Sequence, residues 1–532
     1  MIRMKRSITR ILSMILLTAL LAGLGACGAT KTGKVTTVAP QEPVMLGANK
    51  LTLNNIDISD RVEISLWTLG DVPKDLQLIN DELNKLTIRD LNCTVKLNML
   101  SWSDYMQRYN LLLSSGQPID LIFTAEWLNY NQFAKKGAFT ELDDILPRCA
   151  PELYKFVPAD YWEGVTVNSK IYTIPATWRE YVQPGFAYRE DLRKKYGLPE
   201  PNSLENIEAY LEGVSKNEPS LVLTSEQATD NGFGPYFSAY EVLNMKYKWI
   251  DLIMPYGLCG EYDSPSVIRS YWDSADFVED MKMFKRWAQK GFWSRSALSN
   301  RDSIHNAFSY GKSVAALGEN PNKFNDACIK TSNLYPDREL GYYPYARSTK
   351  LAKPVHPIHN GMAIPRTSQY PERALMFYER LVLDETYNCL TQYGIEGTHY
   401  AIEDGKYYKM LGDAKTNGFQ REALDGWAWR NPKFLLFDKS FGQVSKLFEE
   451  FDTYSKPDIF LGFVEDYTPY QAERAALFQV QSQYLVPLQA GLVDDVEEAV
   501  KEFLAKARVA GLRKIQQEYT RQWQAYCIEK GY

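Results

Sequence analysis

Histidine is nearly missing from this chain: four in 532 residues, His305, His356, His359 and His399. Only His356 and His359 lie close, three apart around Pro357, and that spacing alone does not make a metal site. Cysteine is also scarce. Beyond Cys27 there are six, Cys93, Cys149, Cys259, Cys328, Cys389 and Cys527, scattered singly with no CxxC pair and no zinc-like cluster. An even number permits disulfides outside the cell, but a chain this large does not need them. In their apolar contexts these cysteines are expected to be small buried hydrophobes, and the sequence fixes no pairing. There is no Walker A motif, no dinucleotide fingerprint and no Ser-His-Asp order, which removes support for an ATPase or dehydrogenase role. No EF-hand loop is present either, and neither a cofactor nor a metal is expected.

A second long apolar run is absent too: after residue 26 no stretch of 18 apolar residues occurs, so the first segment is the only expected membrane attachment. That segment places Arg3, Lys5, Arg6 and Arg10 before an apolar run from Ile11 to Leu24, followed by Gly25, Ala26 and Cys27. A basic start before a short apolar core reads as an export signal. Leu24-Gly25-Ala26-Cys27 resembles a bacterial lipobox, in which Cys27 would become the lipid-modified first residue of the mature chain. Acyl chains on one cysteine hold firmly, at about 0.8 kcal/mol per buried CH₂. A simple signal peptide with a chance cysteine, or a retained anchor, are the competing readings.

Net positive charge is likewise lacking. The formal charge is −6, and removal of residues 1–26 takes away four basic side chains and leaves −10. An acidic body argues against nucleic acid and anionic membrane surface as partners. A mature chain of 506 residues exceeds what one core usually serves, so two or more packed units are expected. What the chain has in plenty is aromatic rings: 13% of residues, with 12 Trp and 35 Tyr. Much of this must be packing. The flat face and polar edge of Trp and Tyr also suit ring-shaped, hydroxyl-rich ligands.

Residues 27–58 are rich in Gly, Thr, Pro, Ala and Asn and read as a flexible tether. A strand over 61–67, a helix over 71–90, a strand over 93–99, a helix over 105–114 and a strand over 119–124 follow. This βαβαβ order implies a mostly parallel α/β unit. A strand around 170–175 meets a proline-bounded turn, and Phe186 opens a second unit. That unit has a helix ended by Gly197, a helix from 204 capped by Ser203, a strand at 221–224 and a helix over 275–291. A short helix over 305–310 and a strand over 313–318 come next. A strand at 361–365 and a helix over 371–383 follow. Residues 408–436 are aromatic without regular period, and helices over 470–483, 493–510 and 511–529 close the chain.

Five pieces carry a resemblance. They are YMQRYNLLLSSGQPIDLIFTAEW (105–127), FAKKGAFTELDDIL (133–146), KIYTIPATWREYVQPGFAYREDLRKKYGL (170–198), the segment 360–400 with GIEGTHY at its end, and the tail from YLVPLQAG onward. In that order they resemble the extracellular solute-binding proteins of bacterial ABC importers, of the family 1 sugar-binding type, and more closely the LplA-like lipoproteins of Firmicutes. The resemblance implies an α/β fold of two lobes joined by crossing strands, with solute in the cleft between them and a helical C-terminal region. Carried onto this chain, lobe one is 59–180 plus 358–405, and lobe two is 181–357 plus about 406–460. The tail, 461–532, packs mainly on lobe two. The crossings fall near 176–185, 354–361 and 406–416.

Ligands of α/β units usually sit beyond the carboxyl ends of parallel strands. Trp67 follows the first strand, Trp102 and Asp104 the second, Glu126 and Trp127 the third. Trp178, Arg179 and Glu180 lie at the first crossing, and His359 and Asn360 at the return. The resemblance adds Glu319 and Asn320, in the loop after a lobe-two strand. Trp427, Trp429 and Arg430 form DGWAWR, and Trp293 follows a helix stop. Each has a plainer alternative: core packing for the tryptophans, a helix charge for Asp104, a turn or hinge role for the polar groups. Aromatic faces beside Asp, Glu, Asn and Arg edges suit saccharides. The chain is therefore expected to be no enzyme but a monomeric, lipid-anchored binder on the outer face of the cytoplasmic membrane. It would pass a carbohydrate, expected to be an oligosaccharide, to permease subunits served by a separate ATPase. A peptide or charged solute is the nearer alternative, and a glycoside hydrolase, which would need two carboxylates spanning a scissile bond, the more remote.

Overall fold

The computed structural model describes residues 41–45, 51–101, 105–413, 415–460 and 462–532. Cys27, Trp102 and Asp104 lie outside the described residues. Two large apolar cores divide the chain. The first gathers around a five-stranded sheet in the order Cys93–Leu100, Val62–Leu69, Leu121–Thr124, Gly361–Ala363, Thr173–Pro175. Val62–Leu69 runs parallel to both of its neighbours. Gly361–Ala363 runs antiparallel to Leu121–Thr124 and to Thr173–Pro175. The returning strand thus closes the sheet beside the strand at which the chain first leaves it. Ile64 and Leu66 are buried in the same core as helices Leu76–Leu91 and Pro371–Leu383 and alternate with the half-buried Ser65 and Trp67, the alternation expected of a strand in a layered α/β unit.

The second core surrounds a three-stranded antiparallel sheet with Gly185–Arg189 at its centre, flanked by Ala315–Glu319 and Leu340–Pro344. Gly185 is required there: a Cβ would fall 2.5 Å from the Tyr342 ring and 2.7 Å from the Tyr343 carbonyl. Helix Leu204–Asn217 starts at Ser203, whose hydroxyl accepts from the Asn206 N–H at 3.2 Å. Helix Ala275–Gln289 starts at Ser274 in the same way. Each such cap is worth about 1 kcal/mol. The expected strand at 221–224 reduces to a single bridge between Val222 and Ser313.

The C-terminal helices Gln471–Val480, Val496–Val509 and Leu512–Lys530 do not form a core of their own. Their apolar stripe, including Leu477, Phe503, Ile515, Tyr519 and Trp523, joins the second core. Trp523 donates its indole N–H to the Pro265 carbonyl at 2.6 Å, and Glu465 accepts from both Tyr256 and Tyr470.

Two boundaries differ from the sequence reading. The tether does not run to residue 58: Leu51–Leu53 pairs with Val44–Met45 and with Ile56–Asp57, and Leu53 and Ile58 are buried in the first core. Asn54 and Asn55, both at positive φ, make the two-residue hairpin turn. The averaged polar composition of 27–58 hid this short alternating run. Residues 406–460 also do not all belong with lobe two, because Phe419, Leu424, Ala428 and Trp429 are buried in the first core. The third crossing therefore falls after Trp429, not at 406–416. A separate small core marks the hinge. In it Tyr181, Ala346, Ala352, Phe441, Val444, Phe448 and Phe451 pack together, with Trp178 and Phe437 at its margin.

Candidate functional site

Three stretches distant in sequence meet at a cleft of about 770 Å³, within the range typical of small-molecule sites. The first crossing supplies Trp178 and Glu180. Helix Pro321–Leu334, which follows a strand of the second sheet, supplies Asn322, Asn325 and Asp326. The segment from Glu403 to Phe441 supplies Tyr408, Lys409, Arg421, Glu422, Arg430, Phe437, Asp438, Lys439 and Phe441.

One wall is aromatic. Phe437 and Phe441 stack at 3.9 Å with their planes 8° apart, and Trp178 lies 5.6 Å from Phe437. The Arg421 guanidinium sits 5.2 Å from the Phe437 ring centroid, near enough for a cation–π contact. The hinge core behind these rings fixes them, so the wall is placed by packing and not by the ligand.

Beside it runs a chain of paired charges. Arg430 donates from Nε and Nη2 to the two oxygens of Glu422 at 2.6 and 2.9 Å. Its Nη1 donates to Glu180 Oε2 at 3.3 Å, and the same oxygen accepts from Asn322 Nδ2 at 3.1 Å. Glu180, on the crossing, is thus held at once by lobe-two Asn322 and by Arg430 at the third crossing. Burial works to lower the Arg430 pKa, but the carboxylates of Glu422 and Glu180 outweigh it and hold it raised. Burial would push Glu422 up, yet the charges of Arg430 and Arg421 keep it below its ordinary value. On the opposite side Asp326 meets His305 Nε2 at 2.6 Å and Lys330 at 2.6 Å, and His305 Nδ1 lies 3.1 Å from Glu319.

Of the residues singled out from sequence, Trp178, Glu180 and Arg430 line this cleft. Glu319 is buried one step behind it, through His305. Asn320 caps the helix that carries Asn322, accepting from Lys323 N–H at 2.9 Å. Glu126, Trp127 and His359 form an adjoining group. His359 Nδ1 is 2.7 Å from Glu126 Oε1, and Trp127 donates to the His359 carbonyl at 3.0 Å. Burial alone would lower the His359 pKa, but Glu126 overrides it and holds the imidazole raised, with the Glu180 carboxylate adding to the rise and the Arg430 guanidinium opposing it. Trp67 and Trp427 are half-buried against the first core, Trp427 with its ring edge on Phe123.

Four positions have other work. Trp429 is fully buried and donates to Thr391 Oγ1 at 3.0 Å, so of the i,i+2 pair only Trp427 reaches an accessible face. Trp293 is buried in the second core with its N–H on the Ala490 carbonyl. Arg179 turns to Ser455 and Asp452 at the hinge, and the Asn360 carbonyl accepts from Ala176 where the two inner crossings run side by side. The sequence reading missed Asn322, Tyr408, Glu422, Phe437 and Phe441. The only local signal among them was the pair of phenylalanines at i,i+4. Among the described residues no group of His, Cys, Asp and Glu is placed to hold a metal ion.

Comparison with known proteins agrees with this two-lobed plan. Residues 459–528 match a domain of unknown function, DUF3502. A carbohydrate ABC transporter substrate-binding protein of Streptococcus pneumoniae is 24% identical over 96% of this chain and 97% of its own length. Lipoprotein LipO of Bacillus subtilis is 20% identical over 67% of this chain and 70% of its own. Among solved structures, the N-glycan transport solute binding protein NgtS from Streptococcus pneumoniae superposes with a TM-score of 0.68 at 19% identity, covering 88% of this chain and 99% of that one. Residues 79–385, which hold four strands of the five-stranded sheet, both inner crossings and the second sheet, match the model of one family, and this chain belongs to it: the bacterial extracellular solute-binding proteins.

Proposed function

We propose that this protein captures an oligosaccharide in the cleft around Trp178 and delivers it to the permease of an ABC importer whose ATPase is a separate chain. The observation that carries this reading is the pairing of a preformed aromatic wall, Trp178–Phe437–Phe441, with fixed carboxylate and amide edges at Glu180, Asn322 and Glu422. A sugar ring needs both: its C–H face stacks on the rings, and its hydroxyls bond the edges. Glu126, Trp127, His359, Trp67 and Trp427 extend the site along lobe one. Relatives named for carbohydrate and N-glycan transport support the ligand class, and the lipoprotein LipO supports an anchor at Cys27 on the outer face of the cytoplasmic membrane. Ligand contacts to both lobes would bias an open–closed equilibrium toward the closed state.

A thermal-shift screen of residues 28–532 against oligosaccharides and peptides tests the reading, since a ligand that binds only the native state raises its apparent stability. A saccharide-specific shift that calorimetry reproduces, without sugar release, is the expected result. A response to peptides alone would overturn it.

A further inference from the structure

Apart from the exposed Lys409, the cations that line the cleft already face carboxylates, and one residue does most of the matching. The Nε/Nη2 edge of Arg430, the edge that grips carboxylates side-on, is filled by Glu422. Its Nη1 is engaged by Glu180. Lys439 is shared between Glu403 and Asp404, and Arg421 lies over Phe437, 3.9 Å from Glu422. Five lining carboxylates face four lining cations, so the cleft offers an anion no deep, unmatched guanidinium.

Glu422 itself is held in a conformation that argues for a purpose. Its φ is +57°, a region that L residues other than Asn and Asp rarely occupy and that strained functional positions often do. The loop that imposes it is anchored by the buried Phe419 and Leu424 and by the Glu422 N–H donating to the Gln392 carbonyl at 2.6 Å. A glycine would sit there without strain; this chain has a glutamate there instead, with both carboxylate oxygens on Arg430.

We infer that Glu422 sets the charge class of the ligand: clamped on Arg430, it makes the cleft accept uncharged oligosaccharides and refuse those that carry carboxylates. This rests on the saccharide-binding reading. The test is calorimetric titration of the wild type, E422Q and E422Q/R430Q. The probes are neutral tetrasaccharides of glucose, mannose, fructose and N-acetylglucosamine, and the acidic tetragalacturonate and tetramannuronate. Titrations run at about 20 and about 200 mM salt, between which screening lengths differ roughly threefold. The wild type is expected to bind a neutral probe, with little salt dependence, and neither uronate. E422Q removes the carboxylate charge and one of the two acceptor oxygens from the Arg430 edge, and should bind a uronate at least about tenfold more tightly than the wild type does, with affinity that falls as salt rises. The double variant should lose that gain. A wild type that binds a uronate as tightly as any neutral probe overturns the inference and leaves the saccharide reading standing, and this comparison holds even if E422Q does not fold. A folded E422Q that gains nothing also overturns it. A wild type that binds no saccharide of either kind removes the reading beneath it as well.

Discussion

The cleft wall and the seam between tail and second lobe are both built from aromatic rings, and they use them in opposite ways. Trp523 is fully buried, ringed by Phe463 at 5.2 Å and Phe460 at 6.1 Å, with its one polar atom satisfied by a carbonyl. Trp178 has one flank on Phe437 and lines a cleft beside Glu180 and Arg430. Ring density therefore does not mark a site. A ring held from behind, next to polar groups whose positions other residues fix, does. The seam also shows what the tail contributes: it completes the apolar core of lobe two.

Substitutions separate the two regions. Trp523→Ala should cost about 3–5 kcal/mol of stability in urea unfolding, the usual range for a buried aromatic. Affinity per folded molecule should be unchanged; a loss of binding at full folding would merge the two regions into one. Arg430→Met should cost about 3 kcal/mol, because it strands the Glu422 carboxylate that faced the guanidinium, and should weaken ligand binding too. An effect on stability alone would remove Arg430 from the site. Trp178→Ala should cost less than about 1 kcal/mol of stability, since the ring is only half-buried, but about tenfold in affinity by titration calorimetry. Unchanged affinity would return Trp178 to the hinge core.

The smallest expected effect is on pH. His359 has its folded pKa raised above 6.5 by Glu126. Its contribution to stability is therefore fully present below 6.5 and is lost as pH rises through the raised folded value. Melting temperature should fall over that window in the wild type and fall less in His359→Gln. Equal slopes would mean that the Glu126–His359 pair carries no linkage.

Much of the first lobe was legible in the sequence, because its first strand alternates and its first helix keeps one apolar face, as in Val62–Leu69 and Leu76–Leu91. Ser203 was readable as a cap from its place before a periodic run. The cleft was only partly legible. Trp178, Glu180 and Arg430 stood out as Trp and charge at chain crossings, but Asn322 and Glu422 are 100 residues apart and meet only through the fold, one capping Glu180 and the other filling Arg430. Trp427 and Trp429 look alike in DGWAWR. The left-handed Asp425 before them and the 3₁₀ turn Gly426–Trp429 send one ring outward and the other into the core, a division that depends on backbone angles and not on residue type.

The claim that the cleft is a saccharide site is tested most directly by a crystal structure of the protein with a neutral oligosaccharide from the thermal screen. The expected complex has a sugar ring stacked on Trp178, with hydroxyls within hydrogen-bond reach of Glu180 and Asn322 and the Glu422–Arg430 pair intact. A ligand bound elsewhere, with Trp178 untouched, would contradict it.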